Sequence, residues 1–95
     1  MTFTEFKASL PDDLPPVKSG PLLRAMWHDA KGNWNSAHQI AQDIDTREGA
    51  WVHAYLHRKE GDQSNASYWY HRAKQIMPSG SLEEEWEAIV KKLMV

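Results

Sequence analysis

The chain has no cysteine. That removes a disulfide framework, a thiolate metal site and a cysteine nucleophile together, and makes a cytoplasmic location the expectation. Nor is there an excess of positive charge: 11 lysines and arginines against 13 acids give a formal net charge of -2. Phosphate backbones reward a concentrated positive field, so nucleic acid is not an expected partner. No apolar run approaches the ~20 residues that cross a bilayer. The opening MTFTEFKASL carries an acid and lacks a signal-type apolar core, so neither a membrane nor export is expected. Glycine-rich phosphate loops and serine nucleophile elbows are also missing, and no catalytic residue is assigned.

What is present suits one small folded domain. The 95 residues leave no room for a second core, and 41% apolar with 25% charged residues is ordinary for a globular chain. Five tryptophans, at positions 27, 34, 51, 69 and 86, fall in segments of helical periodicity. Large rings let a short chain bury enough surface, so most of them are expected in the core.

The periodicity predicts an all-α fold over residues 1–95: an N-terminal arm over 1–21, a first hairpin over 22–44, a second over 46–77 and a closing helix over 81–94. Phe3, Phe6 and Leu10 allow a short helix capped by Thr2 or Thr4, whereas Pro11, Pro15, Pro16 and Pro21 make the rest of the arm irregular. Pro21 suits a helix start, and Leu22, Leu23, Met26, Trp27 and Ala30 form a stripe ending at Gly32. Asn33 is the expected cap of the next helix, with Trp34, Ala37, Ile40, Ala41 and Ile44 on one side. Asp45 and Glu48 have capping-box spacing before Ala50, Trp51, Ala54 and Tyr55, and Asp62 is placed to cap a helix that carries Ala66, Trp69, Tyr70, Ala73, Ile76 and Met77 up to Pro78. Ser81 and Glu84 form a further capping box, with Lys91 and Lys92 complementing the dipole at the other end.

Shifting the chain by ~29 residues lays Gly32 on Gly61, His28 on His57, Asn33 on Asp62 and Ala37 on Ala66, a helix, glycine turn, helix unit used twice. Such units stack because neither buries its apolar face alone. The second copy, with Gly61-Asp62 at the turn, Ala66, Tyr70, Ala73 and Pro78, resembles the tetratricopeptide repeat. The first copy keeps Gly32, Asn33, Trp34 and Ala37 but has Ala41, Ile44 and Gly49 where the family has an aromatic, an alanine and a proline. The W-x2-L-G-x2-Y half of the family pattern is not matched in either copy. WVHAYLHRKEGDQSNASYWYHRA, with WHDAKGNWNSAH before it, also looks like a group of small uncharacterised bacterial proteins; that resemblance covers residues 22–77 and implies no activity.

The repeat resemblance implies a protein-protein interaction module, binding a peptide or a second copy of itself as a homodimer through a groove lined by His28, Trp51, His53, Tyr55 and His57. Arg58, Lys59, Arg72 and Lys74 give one end a basic character suited to a peptide carboxylate. The alternative is chemical. His53, His57 and Glu60 share a helix face, and if the repeats stack side by side His28 joins them from the adjacent helix. Three imidazoles with Glu60 would hold zinc and keep a fourth position for water, a layout open to metal-dependent catalysis. Asp29, Asp43 and Asp45 are expected to cap helices or face water.

Overall fold

The computed structural model describes residues 1–94, which form six helices and, among the described residues, no strand. They are α1 (Phe3–Ala8), α2 (Pro21–Ala30), α3 (Trp34–Gln42), α4 (Arg47–Glu60), α5 (Gln63–Ala73) and α6 (Leu82–Leu93). The all-α class holds, and no described helix is long and apolar enough to cross a membrane.

The two glycine turns close in the same way. After α2, the Gly32 N–H donates to the Asp29 carbonyl and the Asn33 N–H to that of His28; after α4, Gly61 donates to Arg58 and Asp62 to His57. Both glycines have positive φ, +83° and +88°, a region that favours a residue without a Cβ. These pairs of bonds satisfy carbonyls that a helix end would leave bare. Ala37 and Ala66 are both fully buried, Ala37 in the main core and Ala66 with Ala54 and Tyr70 between α4 and α5.

Helix ends differ from expectation where a local side chain wins. Thr46, not Asp45, caps α4 by accepting from the Gly49 N–H, while the Asp45 side chain points to solvent. Asn33 precedes α3 without a side-chain cap bond, whereas Asp62 caps α5 through the Asn65 N–H. Helix α5 stops at Ala73, well before Pro78, because Lys74 turns left-handed (φ 57°) and its N–H closes onto His71. Ile76 is therefore outside the helix and 92% exposed, not on a buried stripe. The boxes Thr2–Glu5 and Ser81–Glu84 are both formed.

The N-terminal segment is a docked element, not a free arm. Phe6 is fully buried, and Phe3 and Phe6 lie against Trp86 of α6 with ring centroids 6.0 Å apart in each pair. The Trp27 indole donates to the Ser9 hydroxyl, and Lys31 reaches back to the carbonyls of Leu10 and Asp12. Residues 11–20 connect α1 to α2 without regular structure, as the prolines require.

Helix α4 is the axis of the molecule and packs against α2, α3, α5 and α6. It buries Val52, Ala54, Tyr55 and Leu56 and also places His53 and His57 inside. Two buried carboxylates anchor its neighbours to it. Asp29 of α2 accepts from the Tyr55 hydroxyl (2.8 Å) and from Lys59 (2.9 Å), so it is neither a cap nor a solvent group. Glu85 of α6 accepts from the Trp51 indole (3.1 Å), Arg58 (2.8 Å) and the Tyr70 hydroxyl of α5 (2.6 Å). Burial first, then the partner carboxylate, pushes both tyrosine hydroxyls upward in pKa, so they remain donors.

Candidate metal centre

Three imidazoles converge where α3 crosses α4. His53 and His57 stand one turn apart on α4, and the ring that meets them is His38 of α3, not His28. His28 instead lies half-buried on α2 with its ring edge-on to Trp27, 5.3 Å between centroids. Equivalence of turns places His28 and His57 at matching positions on their own helices. The helix that crosses the His53–His57 face, however, is α3, the second member of the first hairpin, and it carries His38.

One ring nitrogen from each of His38, His53 and His57 lies within 4.8 Å of the others. His38 Nε2 and His53 Nε2 are 2.9 Å apart, one donating and one accepting. His57 Nδ1 is 2.7 Å from Glu60 Oε1, so the Nδ1–H donates to the carboxylate and, in the neutral ring, Nε2 carries the lone pair. Asp62 approaches the same pair, so that His57, Glu60 and Asp62 form a second grouping within 4.8 Å.

The cluster is walled by tryptophan. Trp34 stacks on His38 at 4.8 Å and Trp69 on His53 at 4.1 Å, while His53 and His57 stack on each other at 4.8 Å. Trp34 is itself fixed by its indole N–H on the Leu56 carbonyl at 2.8 Å. Burial, then the proximity of His38 and His57, pulls the His53 ring down to about 4. His38 is lowered for the same reasons, burial first and His57 next. Both rings are thus neutral at pH 7, the form that can donate to a metal. His53 Nδ1 is buried and has no hydrogen-bond partner.

The residues expected to line a common groove are divided among neighbours. Trp51 turns to Glu85 of α6, Tyr55 to Asp29 of α2, and His53 and His57 to α3. Of the expected basic group, Arg58 is bound to Glu85 and to the Gly80 carbonyl, and Lys59 to Asp29; Arg72 remains at the surface. His38 is the residue that sequence reasoning passed over. It shares the α3 stripe with Trp34, Ala37 and Ala41, and that position was the available signal.

No family model, curated protein or solved structure matches this chain. The resemblance to the tetratricopeptide repeat therefore stands on Gly61, Asp62, Ala66, Tyr70, Ala73 and Pro78 alone.

Proposed function

We propose that this chain is a small helical metal-binding module in which His38, His53 and His57 hold a divalent transition metal, zinc foremost. The observation that carries the reading is the convergence of three ring nitrogens within 4.8 Å, from two different helices. Imidazole suits zinc, and Zn–N bonds of ~2.0–2.1 Å set ligand nitrogens about 3.4 Å apart in a tetrahedron. Reaching that from the present spacing takes rotamer adjustments of an ångström or so. For both Nε2 atoms to be ligands, the 2.9 Å contact would open slightly and the ring that donates there would carry its proton on Nδ1 instead.

Glu60 supports this reading because ligand histidines characteristically present their other nitrogen to a carboxylate, which fixes the tautomer and raises basicity. With three protein ligands the fourth position is open to water or an anion, so the site has the ligand count of catalytic rather than closed structural zinc. The interaction-module reading has less support, since the row His28, Trp51, His53, Tyr55 and His57 serves several interfaces instead of one groove.

The test is metal content and stability of chain purified without a histidine tag. About one zinc per chain is expected, and zinc at a hundredfold excess over its Kd should raise Tm on the order of 10 °C. H38A, H53A and H57A should each abolish that rise, and E60Q should weaken zinc binding ~10-fold or more. A folded parent chain that retains no metal, and whose Tm is as indifferent to zinc as that of H38A, would refute the proposal.

A further inference from the structure

A cavity of about 390 Å³ opens beside the histidine cluster, where the end of α3 and the first turn of α4 meet α5. Its lining includes the buried His53 and half-buried Trp69 rings and the exposed side chains of Arg47, Arg72 and Asp45. Three features suit it to a small polar ligand, and two of them favour negative charge.

The first is the start of α4, a 14-residue helix whose opening turn lines the cavity. Thr46 occupies the Gly49 N–H alone, and the other first-turn donors carry the partial positive charge of a helix N-terminus. The second is His53, only 6% exposed, with a buried Nδ1 that no group in the chain satisfies. His53 is one of the residues that line the cavity, and an unmet polar atom on such a residue is where a ligand or its bound water gains most.

The third is Arg72. Its guanidinium lies over the Trp69 ring at 5.2 Å and donates to the Tyr68 hydroxyl at 3.0 Å, which fixes its plane. Its Nη2 is 3.5 Å from Asp45 Oδ1, and that aspartate side chain is 97% exposed. Charge-assisted pairs close to ~2.7–2.9 Å when properly made. Asp45 is therefore a loose carboxylate on a rigid guanidinium, easily replaced by a better one.

We propose that this cavity binds a small organic carboxylate, with Arg72 as its clamp, Arg47 and the α4 amides as the positive field, and Asp45 as a built-in competitor. The metal reading is not required, and the two are separable because every acetate titration is made on chain stripped with EDTA.

The probe is sodium acetate, titrated against sodium chloride at matched ionic strength and followed by the amide resonances of Arg47 and Glu48 and the ring of His53. Saturable shifts with acetate, absent with chloride, are expected. R72A should weaken acetate binding at least ~10-fold, the loss of one charge-assisted pair. D45N, at a fully exposed position, should tighten it at least about twofold. H57A should abolish zinc binding yet leave the acetate response in place. Shifts that track chloride, an R72A chain that binds acetate like the parent, or a D45N chain that binds it more weakly would each overturn the proposal.

Discussion

His38 and His53 meet nitrogen to nitrogen, Nε2 to Nε2 at 2.9 Å, so that two rings from different helices share a single proton. Both rings cannot be charged together without losing that bond and setting like charges against each other in a largely dry contact. The cluster therefore resists acid up to a point and then fails.

That point is set by His53. In the unfolded chain its ring takes a proton as the pH falls through the ordinary imidazole value of 6.5, whereas in the fold it stays neutral down to about 4. The unfolded state binds more protons across that window, so stability present above pH 6.5 is lost as the pH drops toward 4. The loss is up to ~3 kcal/mol. Urea unfolding of metal-free chain at pH 7, 5.5 and 4 should show it, and H53Q should flatten the slope. Equal slopes in parent and H53Q would place the acid sensitivity elsewhere.

Gly49 should be the least replaceable glycine. A Cβ built there would stand 2.1 Å from the Ile44 carbonyl oxygen, a backbone atom that cannot swing aside. At Gly61, where α4 ends, nothing lies within 4 Å of such a Cβ and only the positive φ resists, at roughly 1–2 kcal/mol. G49A is expected to cost more than G61A, on the order of 3 kcal/mol. Denaturation midpoints in the reverse order would contradict the close approach of Ile44 to the helix start.

Glu85 joins three elements through Trp51, Arg58 and Tyr70. Removing it takes a partner from the half-buried Arg58 guanidinium, the Trp51 indole and the buried Tyr70 hydroxyl, so E85A should destabilise by about 3 kcal/mol, a large share of the total for a chain of this size. Thermal melts of E85A beside an exposed control such as E83A make the comparison. A drop below 1 kcal/mol would mean that water reaches those donors.

Lys74 holds a left-handed backbone with a side chain that gains nothing from it; the residue is exposed and its φ is 57°. Glycine relieves that strain where an α-helix ends, so K74G should stabilise by ~0.5–1 kcal/mol. A lower Tm for K74G would show that the lysine makes a contact worth more than the strain.

The helices were legible because their signals are local. Pro21, Gly32, Gly61, Asp62 and the Ser81–Glu84 box each act within one turn of chain, and each sits at a helix end as expected. Thr46 and Lys74 were not legible in the same way. Asp45 and Thr46 are both competent caps, and the cap falls on Thr46 because that is where the extended chain turns into the helix; nothing in a lysine announces a left-handed turn.

The site was half legible. His53 and His57 share a face by spacing alone, and Glu60 follows from the same helix. Which ring would face them depends on which neighbour crosses that face, a tertiary fact: α3 does so with His38, while α2 is turned to Tyr55 and Lys59 through Asp29. Asp29 looked like a surface acid for the same reason, its partners being 26 and 30 residues away.

The contacts of Trp34 with His38 and of Trp69 with His53 mean that the chain carries its own optical probe. An imidazole that gains a positive charge withdraws electron density from an excited indole lying against it. Tryptophan emission should therefore dim as the cluster takes up protons and change when a cation takes their place, without any label being added.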